Sequence, residues 1–164
     1  MVESLFCKLY LIWKENDQIY VENKHSYGIL TIEPYFAGQG IIIPKRHIKN
    51  NSELTPEEAK DYFHLVDLFH QKILMNYESS NLDLEKFYKK LFQNPTTPKS
   101  KELSRIILES KELYEKPEGF NIGMDYGICA GQNINHSHIN YIPRRESDIS
   151  KSGIGAAFIS LLKK

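Results

Sequence analysis

Gly131-Gln-Asn-Ile-Asn-His136-Ser-His138-Ile-Asn140-Tyr-Ile-Pro-Arg-Arg145 is the stretch from which the rest of the chain is read. In an extended segment residues two apart share a face, so His136, His138 and Asn140 form a polar row in line with apolar Ile134 and Ile142. Neutral imidazole is a nucleophile, a proton carrier and a metal ligand, and two of them on one face point to a site. The competing reading is two surface histidines at chance spacing. The spacing by itself does not separate the two, because a short motif without its context is weak.

The context lies on both sides. Phe120-Asn-Ile-Gly-Met-Asp-Tyr-Gly127 leads through Ile-Cys-Ala-Gly131-Gln132 into the histidines. Far upstream, Gly40-Ile-Ile-Ile-Pro-Lys-Arg-His-Ile48 is followed by Leu54-Thr-Pro-Glu-Glu58. Taken in order, these segments resemble the histidine-triad (HIT) superfamily of nucleotide hydrolases and transferases, with His-x-His-x-Asn in place of His-x-His-x-His. Members of that superfamily read a Pro-Gly-His turn, an aliphatic strand ending Ile-Pro-Lys-Arg-His, a helix opened by Thr-Pro-Glu-Glu, a glycine loop, Gly-Gln and the triad. The resemblance covers all but a middle segment, and several motifs in the right order are more specific than any one of them.

Composition narrows the function classes. A chain of 164 residues with 41% hydrophobic content is the size of one domain, 1–164, and can bury a core without staples. Lys plus Arg and Asp plus Glu both number 21, so no global basic field draws in a nucleic-acid polymer and any phosphate binding is local. Phe6 and the run Leu9 to Trp13 are too short and too interrupted by charge for a signal peptide or membrane span, which makes the expected residence cytoplasmic, away from membranes. Without an export signal, no disulfide is expected between Cys7 and Cys129.

Gln18–Glu22 and Tyr27–Ile32 read as a β-hairpin, and the β-branched Ile41–Ile43 as a buried strand ended by Pro44. Thr55-Pro56-Glu-Glu58 opens a helix expected to reach about Tyr77, with Ala59, Tyr62, Phe63, Val66, Phe69, Ile73 and Leu74 as its covering face. Leu82–Phe92 and Ser100–Tyr114 read as two more helices, parted by Asn94-Pro-Thr-Thr-Pro98. They form most of a helical insertion at about 78–108. Gly119–Met124 and Asn133–Ile142 are the last strands. The fold class is therefore α+β: a HIT-like five-stranded antiparallel sheet with helices packed on one face, plus the insertion.

The resemblance also implies roles. His138 is the nucleophile that attacks the α-phosphorus of a purine nucleotide, with His136 offering its backbone carbonyl to the imidazole and Gln132 its side-chain amide to phosphate. Four departures fall at polar contact positions. Asn140 stands third in the triad and can donate a hydrogen bond but cannot exchange a proton as imidazole does. Gln39 replaces the histidine of the Pro-Gly-His turn, Asp125 an asparagine of the glycine loop, and Thr31 the group usually aimed at ribose. A carboxylate at 125 repels phosphate unless it is protonated or bridged by a cation such as magnesium. Arg144 reads as solvated, His25, His64 and His70 as solvent-facing or helix residues, and Tyr10, Trp13 and Phe36 as core or as walls of a base pocket.

His47 is read as a structural histidine or as a metal ligand. Some bacterial proteins of the superfamily have a second cysteine where Ser4 stands, so Cys7, His47 and His136 leave three ligands where a closed zinc site wants four, and weak or no zinc binding is expected. No other cofactor is required. The implied activity is hydrolysis of a dinucleoside polyphosphate, such as a diadenosine polyphosphate, or of an adenosine phosphoramidate. A nucleotidyltransferase or phosphorylase is the second enzymatic reading. A nucleotide-binding protein without turnover and a metal-binding structural domain are the others. Many proteins of the superfamily are homodimers.

Overall fold

The computed structural model describes residues 4–78 and 83–146. The elements run α1 (Leu5–Glu15), β1 (Val21–Glu22), β2 (Ser26–Leu30), β3 (Gly40–Pro44), α2 (Pro56–Met75), α3 (Asp83–Gln93), α4 (Pro98–Glu109), β4 (Gly119–Gly123) and β5 (Ile139–Arg144). They form the five-stranded antiparallel sheet of an α+β fold, in the order β1-β2-β3-β5-β4. β1 and β2 pair with Val21 opposite Gly28 and Glu22 opposite Tyr27. Among the described residues no helix is long and apolar enough to cross a membrane.

The chain divides into two compact units. The first comprises the described residues within Met1–Leu30, Ile41–Phe69 and Gly123–Asn140. Its helix α1 was not anticipated from the sequence, although Ser4 before an apolar run is a helix-start signal: its hydroxyl accepts from the Cys7 amide. Phe6, Tyr27, Ile29 and Ile43 form the core here, with Tyr10, Trp13 and Ile134 packed on it. Each such buried side chain contributes roughly 1.5–3 kcal/mol. Tyr10 and Trp13 are thus core rather than pocket walls.

Tyr27 and Ile29 meet this α1 cluster, while Gly28 between them faces Phe69 of α2, where a Cβ would lie 2.8 Å from the ring. Alternation along a strand puts these contacts on opposite faces. β2 is therefore covered on both sides, where helices on one face alone were expected, because α1 adds a second layer. At the start of α2, Glu58 N–H donates to Thr55 Oγ1 and Thr55 N–H donates to a Glu58 carboxylate oxygen, a reciprocal cap. Phe63, expected in its covering face, is 48% exposed, and Leu65 is buried in its stead.

The second unit comprises the described residues within Thr31–Gly40, His70–Ile122 and Tyr141–Lys164. Phe36 and Ile142 share a core with Tyr35, so Phe36 too is a packing residue. In the insertion, residues 79–82, including the expected helix start at Leu82, lie outside the described residues. α4 begins at Pro98 under a Thr97 cap and ends at Glu109, short of the expected Tyr114. Tyr88 of α3 is fully buried, and its hydroxyl accepts from the Gly38 amide at 2.7 Å. Thr97 Oγ donates to Glu33 at 2.9 Å. The insertion thereby grips the loop between β2 and β3.

Candidate active site

The histidines do not stand in the sheet as the alternation implied. β5 begins only at Ile139, and His136 sits in a tight turn with its amide bonded to the Ile134 carbonyl. Side chains and distant backbone groups hold this lead-in where a ladder would otherwise hold it. His136 is 1% exposed. Its Nε2 lies 2.9 Å from the Pro44 carbonyl. A carbonyl only accepts, so the proton is on Nε2, and Nδ1 accepts from the Ser4 hydroxyl at 2.7 Å. Burial holds this imidazole down to about 4, and the rings of His47 and His138 push the same way against the Pro44 hydrogen bond. His136 is therefore neutral near pH 7.

His138 has the opposite tautomer. Its Nδ1 donates to the backbone carbonyl of His136 at 3.0 Å, which leaves the Nε2 lone pair without a partner among the described residues. The peptide unit that supplies this carbonyl also carries the Ser137 N–H, which donates to the Ile48 carbonyl at 2.7 Å. Two hydrogen bonds in series polarise the acceptor that faces His138. Phe6 of α1 meets both imidazoles edge-on, at 5.8 Å from His136 and 5.4 Å from His138, and excludes water from that side. A neutral imidazole with a bound Nδ1 and an open Nε2 can attack an electrophile or take up a proton.

His47 donates from Nε2 to the Asn135 carbonyl at 2.7 Å, with its ring 5.1 Å from that of His136. The Cys7 sulfur is 3.7 Å from the His136 nitrogen that the Ser4 hydroxyl occupies. Among the described residues no group of three His, Cys, Asp or Glu could hold a metal. Both cysteines are free thiols.

The loop after β4 is shaped by Gly127 and Gly131, both at positive φ. Gln132 closes it: Oε1 accepts from the Gly127 amide at 2.8 Å and Nε2 reaches the Lys49 carbonyl at 3.4 Å. One N–H of that amide stays free to donate. The Asp125 carboxyl lies across the loop, 3.9 Å from where a Cβ at Gly131 would be. Neither the Asp125 carboxylate nor the Asn140 amide has a hydrogen-bond partner among the described residues. Asp125, Gln132, His136, His138 and Asn140 all belong to the first unit.

Thr31 and Gln39 belong to the second unit, where they brace one loop. The Thr31 amide bonds the Gln39 carbonyl at 3.0 Å, and Gln39 Oε1 accepts from the Tyr35 amide at 2.8 Å. Arg144 is not a freely solvated residue: it donates to Asn121 at 3.2 Å and lies over the Phe36 ring. His25 pairs with Asp61 and His70 with the Tyr141 hydroxyl. Ser4, Phe6, Ile48 and Asn51 are the site-forming residues that the sequence reading missed.

A family model described as HIT domain matches residues 14–147. Protein hit of Bacillus subtilis is 29% identical over 140 residues, covering 85% of this chain and 70% of that protein. An asymmetrical bis(5'-nucleosyl)-tetraphosphatase of Schizosaccharomyces pombe is 24% identical over 137 residues, 84% of this chain but 54% of the yeast protein. The chain thus spans about half the length of that relative. The crystal structure of a HIT family protein from Bacillus anthracis has a similar fold, with a TM-score of 0.57 at 21% identity over 99% of this chain and 91% of that one.

Proposed function

The chain belongs to the HIT domain family, and from that premise we propose that it cleaves a phosphoanhydride or phosphoramidate at the α-phosphorus of a purine nucleotide, through a nucleotidyl-histidine on His138. The observation that carries this reading is the hydrogen bond from His138 Nδ1 to the His136 carbonyl, which leaves the Nε2 lone pair free to attack. In the first step Nε2 forms a bond to phosphorus while the bond to the leaving oxygen or nitrogen breaks, and the leaving group keeps the electron pair. Positive charge then grows on the imidazole and is met at Nδ1 by a carbonyl already polarised through Ser137 N–H and Ile48. Water then forms a bond to phosphorus as the Nε2–phosphorus bond breaks, its electron pair returning to nitrogen and the proton of the water passing to solvent, which releases the nucleoside monophosphate and a neutral His138.

Buried, neutral His136 serves this scheme through its backbone. Negative charge on the phosphoryl oxygens is met by the free N–H of Gln132 and by Asn140, whose amide has no competing partner among the described residues. Asp125 takes phosphate only with a bridging cation or a proton. The yeast relative named as a dinucleoside tetraphosphatase favours a dinucleoside polyphosphate as substrate. Transfer to an acceptor other than water is the second reading, favoured by the amide at Asn140, which cannot act as a general base toward water.

Diadenosine triphosphate labelled at the α-phosphorus, mixed with the protein and quenched in alkali, tests the reading. Peptide mass spectrometry is expected to locate one nucleotidyl group on His138. Turnover without an adduct in single-turnover time courses would overturn the covalent route.

A further inference from the structure

We propose that Asn51 is a positioning residue for the His138 nucleophile, acting through the hydroxyl of Ser137 and coupling the His138 backbone to the loop that opens at Met124. The proposal rests on the nucleotidyl-histidine reading above. Because β5 starts at Ile139, the orientation of the peptide unit between His136 and Ser137 is not set by a strand ladder. That peptide unit orients His138, so whatever holds it holds the nucleophile. Its N–H is bound to Ile48. The side chain on its nitrogen side is Ser137, 3% exposed, whose Oγ donates to Asn51 Oδ1 at 2.6 Å.

The other end of the Asn51 amide fixes the direction of this bond. Nδ2 lies 2.8 Å from the Met124 sulfur, and a thioether accepts but cannot donate, so the amide nitrogen faces Met124 and the oxygen faces Ser137. The Tyr126 hydroxyl lies 3.3 Å from the same sulfur. Asn51 thereby joins two parts of the first unit that share no ladder. One is the segment carrying His136 and His138, and the other is the loop carrying Asp125 and Gln132. A nucleophile and its phosphate donors act together only when held in mutual register, and a displacement of about 1 Å is enough to cost on the order of 10²-fold in rate.

A merely structural bond would alter stability and leave the chemical step alone. The test is a double-mutant cycle on Ser137→Ala and Asn51→Ala, read as the single-turnover rate of adduct formation from diadenosine triphosphate, with folding of each variant checked by thermal unfolding. Each single variant is expected to slow adduct formation by at least ~10-fold with KM within ~3-fold of wild type, since ground-state binding is untouched. The double variant is expected to be no slower than the worse single one, because both remove the same bond. Ser137→Thr, which keeps the hydroxyl, restores the rate.

Losses that multiply in the double variant, or a folded Ser137→Ala protein that reacts at the wild-type rate, would overturn the positioning role while leaving the nucleophile in place. A wild-type protein that turns over without any adduct on His138 would overturn both. Should the alanine variants not fold, Ser137→Thr still decides: it keeps the hydroxyl that donates to Asn51, and a slow rate in a folded Ser137→Thr protein refutes the proposal.

Discussion

Replacing His136 by glutamine separates the energetic role of its neutral imidazole from the chemistry next to it. Burial holds this histidine at about 4, against 6.5 for an imidazole in water. As pH falls below 6.5 the unfolded chain takes up a proton that the folded chain refuses until about pH 4. Stability is therefore lost as pH falls through that window, and the contribution is level above it. A tenfold difference in proton affinity is about 1.4 kcal/mol, so the full window amounts to roughly 3 kcal/mol. That is a large share of a total stability of roughly 5–15 kcal/mol.

Glutamine can still offer an N–H toward the Pro44 carbonyl but has no titrating group. The Ser4 hydroxyl that loses Nδ1 can turn to the Cys7 sulfur, 3.2 Å away. At about pH 7 the His136→Gln variant is expected to be less stable than wild type by ~1–3 kcal/mol, for one imperfectly replaced buried contact. The two proteins then converge as pH falls toward about 4.5, because only wild type carries the penalty of refusing a proton. Urea unfolding of both proteins at about pH 7, 6 and 5 measures this, and carboxylates common to both cancel in the difference. Parallel stability curves for the two proteins would refute the assignment of a proton-refusing His136.

Three further outcomes are expected. His138→Ala should bind nucleotide in calorimetry yet turn over at least ~10³-fold more slowly, since nothing beside it can form the intermediate; near-native turnover would eliminate the mechanism. Magnesium should strengthen nucleotide binding to wild type and not to Asp125→Asn, because the ion bridges a carboxylate that otherwise repels phosphate; identical magnesium titrations would show that Asp125 faces away from the phosphates. Tyr88→Phe strips the Gly38 amide of its acceptor, for a loss of roughly 1–3 kcal/mol in urea unfolding, and unchanged stability would show that this hydrogen bond does not help the insertion hold that loop.

What the sequence determined by itself are features governed by near neighbours along the chain. The reciprocal cap of Thr55 and Glu58 on α2, the β-branched run Ile41–Ile43 and the stop at Pro44 each follow from groups within a few residues of one another. The order of those segments pointed to the family, and with it to the five-stranded sheet. Periodicity places Phe63 inside and runs the last strand back through both histidines, whereas the packing leaves Phe63 half exposed and starts β5 at Ile139.

Only the tertiary structure decided the state of the histidines. His136 and His138 are the same residue two positions apart, yet one has its proton on Nε2 and the other on Nδ1. The difference comes from the Pro44 carbonyl, 92 residues away along the chain from His136, and from a peptide unit braced by Ile48 and Asn51. α1 entered the site in the same hidden way, through Ser4 and Phe6. A backbone carbonyl is identical in every residue, so no side-chain pattern announces which one a fold will turn toward an imidazole, and that choice sets which nitrogen is left to react.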